Sequence, residues 1–259
     1  MKTLLWGLSV AAAFGAGWGL CARRYRERED LRARLLSFVG HELNNPILSL
    51  HLTVMNFLDG LFGPIPDQHR PWLVLIREQT ARLSALVGDL RDLVHMEFHG
   101  DLRLSPEPVA LDAAIRGALD TMQDAMTRSR TPLEIRTAEG LPPVQADPDR
   151  LLRILTAMLT HARKFRTRGT VFVRAESEPG GAAVSVEYEG MPAAAEDVAE
   201  ALDLFYPAKH SDSQILASTG LGLGLSSALM RLHGGRMELG VDGVGRCRVA
   251  IHFPIGGKA

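Results

Sequence analysis

Two long segments near the N-terminal end repeat their apolar residues every three or four positions, and this pattern restricts the fold more than any other feature of the chain. The first runs through Leu31, Leu35, Phe38, Val39, Leu43, Ile47, Leu50, Val54, Phe57 and Leu58. That spacing predicts an amphipathic helix from Tyr25 to about Leu58. The stretch from Gly60 to Pro66, GLFGPIP, then breaks it, as clustered Gly and Pro do. A second helix begins near Pro71, since proline is tolerated in a first turn. It carries Leu73, Ile76, Leu83, Leu86, Val87, Leu90, Leu93 and Val94 at the same spacing. Two helices with one apolar stripe each cannot bury both stripes well alone. Pairing two such hairpins into a four-helix bundle covers them, so the pattern predicts a homodimer. A hairpin packed on its own C-terminal domain is the other solution.

Inside the first helix lies Phe38-Val39-Gly40-His41-Glu42-Leu43-Asn44-Asn45-Pro46-Ile47. His41 and Glu42 fall at the margin of the seam, where an imidazole reaches solvent or a docked partner. Asn45 follows one helical turn later on the same side, and Pro46 removes a backbone donor. The run His-Glu-x-x-Asn-Pro resembles the phosphoacceptor box of sensor histidine kinases, which typically reads His-Glu-Leu-Arg/Asn-Thr/Asn-Pro-Leu. The resemblance implies that His41 attacks the γ-phosphate of ATP, with Glu42 orienting the imidazole and taking its proton. It also implies transfer of the phosphate to an aspartate on a response-regulator receiver domain. Asn45 then occupies the position that orients water for dephosphorylating that regulator.

Thr3 to Ala22 is uncharged, apolar and long enough to cross a bilayer, which takes roughly 20 residues. Arg23, Arg24, Arg26 and Arg28 follow it, against Lys2 in front. The positive-inside rule places the C-terminal bulk in the cytoplasm. The expectation is a single-pass anchor in a bacterial inner membrane, with no extracellular sensor domain; a cleaved signal peptide is the rival reading. A net charge of -1 provides no basic field for nucleic acid. The two cysteines form neither a disulfide framework nor a metal spacing.

His99-Gly100 and Ser105-Pro106-Glu107-Pro108 mark a boundary. The expected division is an anchor over 1–22, a dimerising helical hairpin over 23–99 and a mixed domain over 100–259. In the last, Leu111 to about Ser129 reads as helix, and Leu133 to Arg136 as strand. Asp147-Pro148-Asp149 caps a helix running to Phe165. Residues 170–175 and 182–188 read as antiparallel strands. A Gly-rich turn then precedes a helix from Leu225 to Leu232, and two strands, Met237 to Leu239 and Cys247 to Phe253, close the domain. The expected fold is an α/β sandwich.

Ser218-Thr219-Gly220-Leu221-Gly222-Leu223-Gly224-Leu225, followed by His233-Gly234-Gly235, resembles a glycine box of the same family's ATP-binding domain. Glycines there let backbone approach phosphate oxygens at a helix N-terminus. The helix ending His161-Ala162-Arg163-Lys164-Phe165 aligns with the family's asparagine box. The magnesium-holding asparagine is His161 here, an earlier asparagine is Ala157, and the phosphate-approaching lysine is kept as Lys164. The Asp-x-Gly-x-Gly that reads adenine appears as Tyr188-Glu189-Gly190-Met191-Pro192. Losing that charged acceptor removes roughly 1.5–3 kcal/mol. Glu189, beside it on a strand, points to the opposite face. Leu204-Phe205-Tyr206 resembles the phenylalanine box, followed by a lid carrying Lys209. The resemblance thus implies an ATP and magnesium site formed by His161, Lys164, Tyr188, Gly190, Lys209, Thr219, Gly220, Leu221, Gly222 and Leu223, with His161 at the metal. Two functional readings stay open. One is a kinase autophosphorylating on His41 from ATP. The other is a degenerate kinase acting on receiver domains, as phosphotransfer, phosphatase or docking protein, without ATP.

Overall fold

The computed structural model describes residues 42–96, 102–190, 202, 222–242 and 245–254. The chain divides into two units between Leu102 and Arg103. In the first, helix α1 covers 42–58 and helix α2 covers Arg70–Val94, joined through a turn that begins at Asp59 and Gly60. Pro71 sits in the first turn of α2, as expected. Ile47 and Val54, seven residues apart, are the buried positions of α1. Between them His51 Nδ1 meets Thr80 Oγ1 of α2 at 2.9 Å. The Thr80 hydroxyl donates to the Ile76 and Arg77 carbonyls, so it accepts from the His51 N–H, and the two helices are tied by a polar contact as well as by packing.

The second unit is the expected α/β sandwich. A five-stranded sheet runs in the order β2-β4-β5-β7-β6, from β2 (Leu133–Thr137), β4 (Arg166–Glu178), β5 (Gly181–Gly190), β6 (Arg236–Val241) and β7 (Arg246–Pro254). A separate pair joins β1 (Glu107–Val109) to β3 (Val144–Ala146). Among the described residues three helices complete the unit: α3 (Leu111–Arg128), α4 (Pro148–Phe165) and α5 (Gly222–Leu232). β4, β5, β7 and β6 pair antiparallel, whereas β2 joins β4 in parallel. Alternation along the strands sorts the faces. Val173, Val186 and Val249 align across three strands and are buried, and so do Ala175, Val184 and Ile251. The opposite face carries charge: Glu187 pairs with Arg174 at 2.6 Å and with Arg248 at 3.4 Å.

Asp147 is the junction of the unit. Its carboxylate accepts from the backbone N–H of Arg150 at 3.1 Å, capping α4, and from that of Ser105 at 3.0 Å. Burial raises its pKa, but these two N–H donors outweigh it and hold the carboxyl below its usual range. The Asp147 N–H donates to His233 Nε2 at 3.0 Å, and His233 Nδ1 then donates to the Leu229 carbonyl at 2.8 Å. Gly234 (φ +74°) and Gly235 follow, and their N–H groups close on Arg231 and Met230. This is a left-handed helix stop of the Schellman type. His233-Gly234-Gly235 therefore ends α5 and clasps it to the start of α4. Helix α5 includes Gly222, three residues before the expected start at Leu225.

Candidate functional site

On α1, Glu42 and Asn45 are exposed and lie three residues apart on one side of the helix. His41 falls outside the described residues, as do Lys209, Thr219, Gly220 and Leu221, the Met191-Pro192 pair, the phenylalanine box and the apolar stretch 3–22. Among the described residues no helix is long and apolar enough to cross a membrane.

In the second unit, His161 and Tyr188 are brought together, and both turn inward. His161 lies in the last turn of α4 and Tyr188 near the end of β5. The Tyr188 hydroxyl and His161 Nδ1 share a hydrogen bond at 3.0 Å, and the two residues are 1 % and 3 % exposed. Their rings meet edge-on with centroids 5.8 Å apart, and the Phe165 ring packs against the imidazole, tilted, at 4.7 Å. Burial, aided by the charge of Lys164, pushes the imidazole down to about 4, so it is neutral at pH 7. Burial likewise pushes the phenol up and keeps it protonated. Cys247 stands directly across from Tyr188 on β7 and is buried, its thiol pushed up to about 11 by the same cause. The sequence places Cys247 at the start of a strand without marking it as the neighbour of position 188. Its signal was the alternation of β7, where Cys247, Val249 and Ile251 share a face.

The other implied site residues serve the fold or the surface. Gly190 (φ +145°) lies where β5 crosses the start of β4; a Cβ there would collide with the Phe165 carbonyl and come within 2.8 Å of the Thr167 nitrogen. Glu189 faces the outer side, as expected, and pairs with Arg168 at 3.0 Å. Gly222 and Leu223 lie in α5, and a Cβ at Gly222 would fall 3.9 Å from that of Ala157 on α4. Leu223 is buried, while Lys164 is exposed at the end of α4. A cavity of about 260 Å³ lies at the Gly181 end of β5, lined by Glu178, Arg236 and His252. At about 3.3 Å per residue it is some 20 Å along the strand from Tyr188.

Magnesium takes oxygen ligands and keeps several waters. Position 161 offers an imidazole whose Nδ1 is engaged by Tyr188 and whose ring is cut off from solvent. Ala157 offers no donor. Among the described residues no cluster of three or more His, Cys, Asp or Glu is placed to hold a metal. The residues described at this corner do not fit magnesium, His161 included.

Comparison with known proteins bears on both units. Residues 31–98 match the His Kinase A (phospho-acceptor) domain. Residues 146–257 match the family described as histidine kinase-, DNA gyrase B- and HSP90-like ATPase. The chain belongs to the sensor histidine kinase family. Similar proteins include the circadian input-output histidine kinase CikA of Synechococcus elongatus, 28 % identical over 80 % of the chain. Another is the histidine protein kinase DivJ of Caulobacter vibrioides, 29 % identical over 86 %. The chain spans 28 % of the length of the first and 37 % of the second. The structure of the Acinetobacter baumannii histidine kinase AdeS superposes with a TM-score of 0.57 at 25 % identity, over 84 % of this chain and 98 % of that one. Full-length ShkA in complex with AMPPNP superposes at 0.64 and 23 % identity, over 87 % of this chain and 46 % of that one, and shows the shared fold.

Proposed function

We propose that the chain is a two-component signalling protein of the histidine kinase type, whose working residue is His41. The observation that carries this reading is the phospho-acceptor domain match over residues 31–98, which brackets the His41-Glu42-x-x-Asn45-Pro46 run. Glu42, next in sequence, takes the imidazole proton as phosphate arrives. Asn45, exposed one turn on, orients water against a phosphorylated aspartate of a docked receiver domain. The ATPase-type family match and the AMPPNP-bound neighbour support an ATP-binding ancestry for the C-terminal unit.

The working form is a homodimer built through the hairpin. Leu43, Leu50 and Phe57 on α1, and Ile76, Leu83 and Leu86 on α2, are exposed large apolar residues. Such a stripe fits the four-helix solution. The anchor over 3–22 and the hairpin and catalytic-type domains over 23–99 and 100–259 complete the proposed organisation, with the arginines after residue 22 setting its orientation in an inner membrane.

The test is chemical. The full chain is exposed to labelled Mg–ATP and, separately, to receiver domains charged with labelled acetyl phosphate. Acid-labile label at residue 41 from either donor, lost in His41→Gln, is the expected result. A chain that takes label from neither donor contradicts the reading.

A further inference from the structure

Three positions that the family resemblance assigns to magnesium and adenine are turned to other work in this chain. Ala157 lies against α5 beside Gly222. His161 and Tyr188 satisfy one another at 3.0 Å and are 3 % and 1 % exposed. Phe165 and Cys247 pack around them from α4 and β7. Each substitution, at 161 and at 188, places a polar group in a buried position, where it needs a hydrogen-bond partner. Made together, they pair with each other. The departures at 161 and 188 therefore meet in one buried contact.

We infer that the Tyr188–His161 pair closes the base and magnesium corner of the C-terminal domain, so that the chain does not take Mg–ATP through the positions its family uses. The consequence rests on the phosphotransfer reading above: His41 receives its phosphate from an aspartyl phosphate on a receiver domain. In that transfer the acyl P–O bond breaks and the carboxylate keeps its electron pair. A P–N bond forms to the imidazole, whose proton leaves to Glu42 or water. No further reactant is required, because both phosphates are activated.

Calorimetric titration of the full chain with Mg–ATP tests the closure, beside a double variant carrying His161→Asn and Tyr188→Asp. The expected result is no saturable binding by the wild type, and binding at least about tenfold tighter by the double variant, lost when magnesium is chelated. Magnesium-dependent, submillimolar binding by the wild type would overturn the inference. So would a double variant that keeps a cooperative melting transition and gains nothing. If that variant does not fold, the wild-type titration decides alone. Label on His41 is read separately: nucleotide binding by the wild type leaves the phosphotransfer reading standing, and absence of label from both donors removes that reading without touching the closure.

Discussion

Tyr188 and His161 are 27 positions apart in the chain and meet in a buried hydrogen bond, and that contact has a measurable signature in acid. The imidazole ordinarily titrates at 6.5 and is pushed down to about 4 in the folded chain, by burial first and by Lys164 second. Between these values the unfolded chain binds a proton that the folded chain does not. The stability is therefore complete above about 6.5 and is lost as pH falls toward about 4, by an amount on the order of 3 kcal/mol. Urea unfolding at pH 7 and at pH 4.5 should show this loss in the wild type and a shallower one in His161→Leu. Equal slopes in the two proteins would mean that the imidazole is not buried neutral. The identities at 161 and 188 are legible as departures from the family pattern. Their contact is not, because nothing local to a helix end and a strand end states which side chains meet across the layer.

Elements with strong local signals match their sequence reading closely. The Asp147-Pro148-Asp149 cap is one, since a carboxylate beside a proline declares a helix start within a few residues. β1 and β3, three residues each, leave too short a pattern to read. The parallel pairing of β2 with β4 depends on a crossover rather than on either strand's own sequence. Helix α3 ends on a stop that sequence does not advertise. Arg130 takes φ +47° while the N–H groups of Arg130 and Thr131 close on Thr127 and Met126. That is the geometry at α5, where the left-handed residue is Gly234. A non-glycine residue is strained there, so Arg130→Gly should stabilise the chain by about 0.5–1 kcal/mol in chemical denaturation. A destabilised variant would show that the arginine side chain contributes more than the strain costs.

At the scale of the whole molecule, the hairpin carries most of the exposed large apolar residues among those described, with Leu50 57 % and Leu83 47 % exposed in the single chain. Leu50→Asp combined with Leu83→Asp should shift the full chain in detergent from dimer to monomer in sedimentation, with helix content retained by circular dichroism. An unchanged mass would place the dimer contact elsewhere or remove it. The apolar stripes are legible in sequence as a demand for burial; which residues the hairpin covers internally, Ile47 and Val54, comes only from the packing of α1 on α2. In the proposed working form His41 carries phosphate while the C-terminal domain is closed to Mg–ATP. The most direct measurement compares donors on the full chain: a receiver domain charged with labelled acetyl phosphate, without nucleotide, against labelled Mg–ATP alone. The expected result is acid-labile label on His41 from the charged receiver, absent in His41→Gln, and none from Mg–ATP. Label at His41 from Mg–ATP would show that the C-terminal domain still delivers nucleotide to the phosphoacceptor helix.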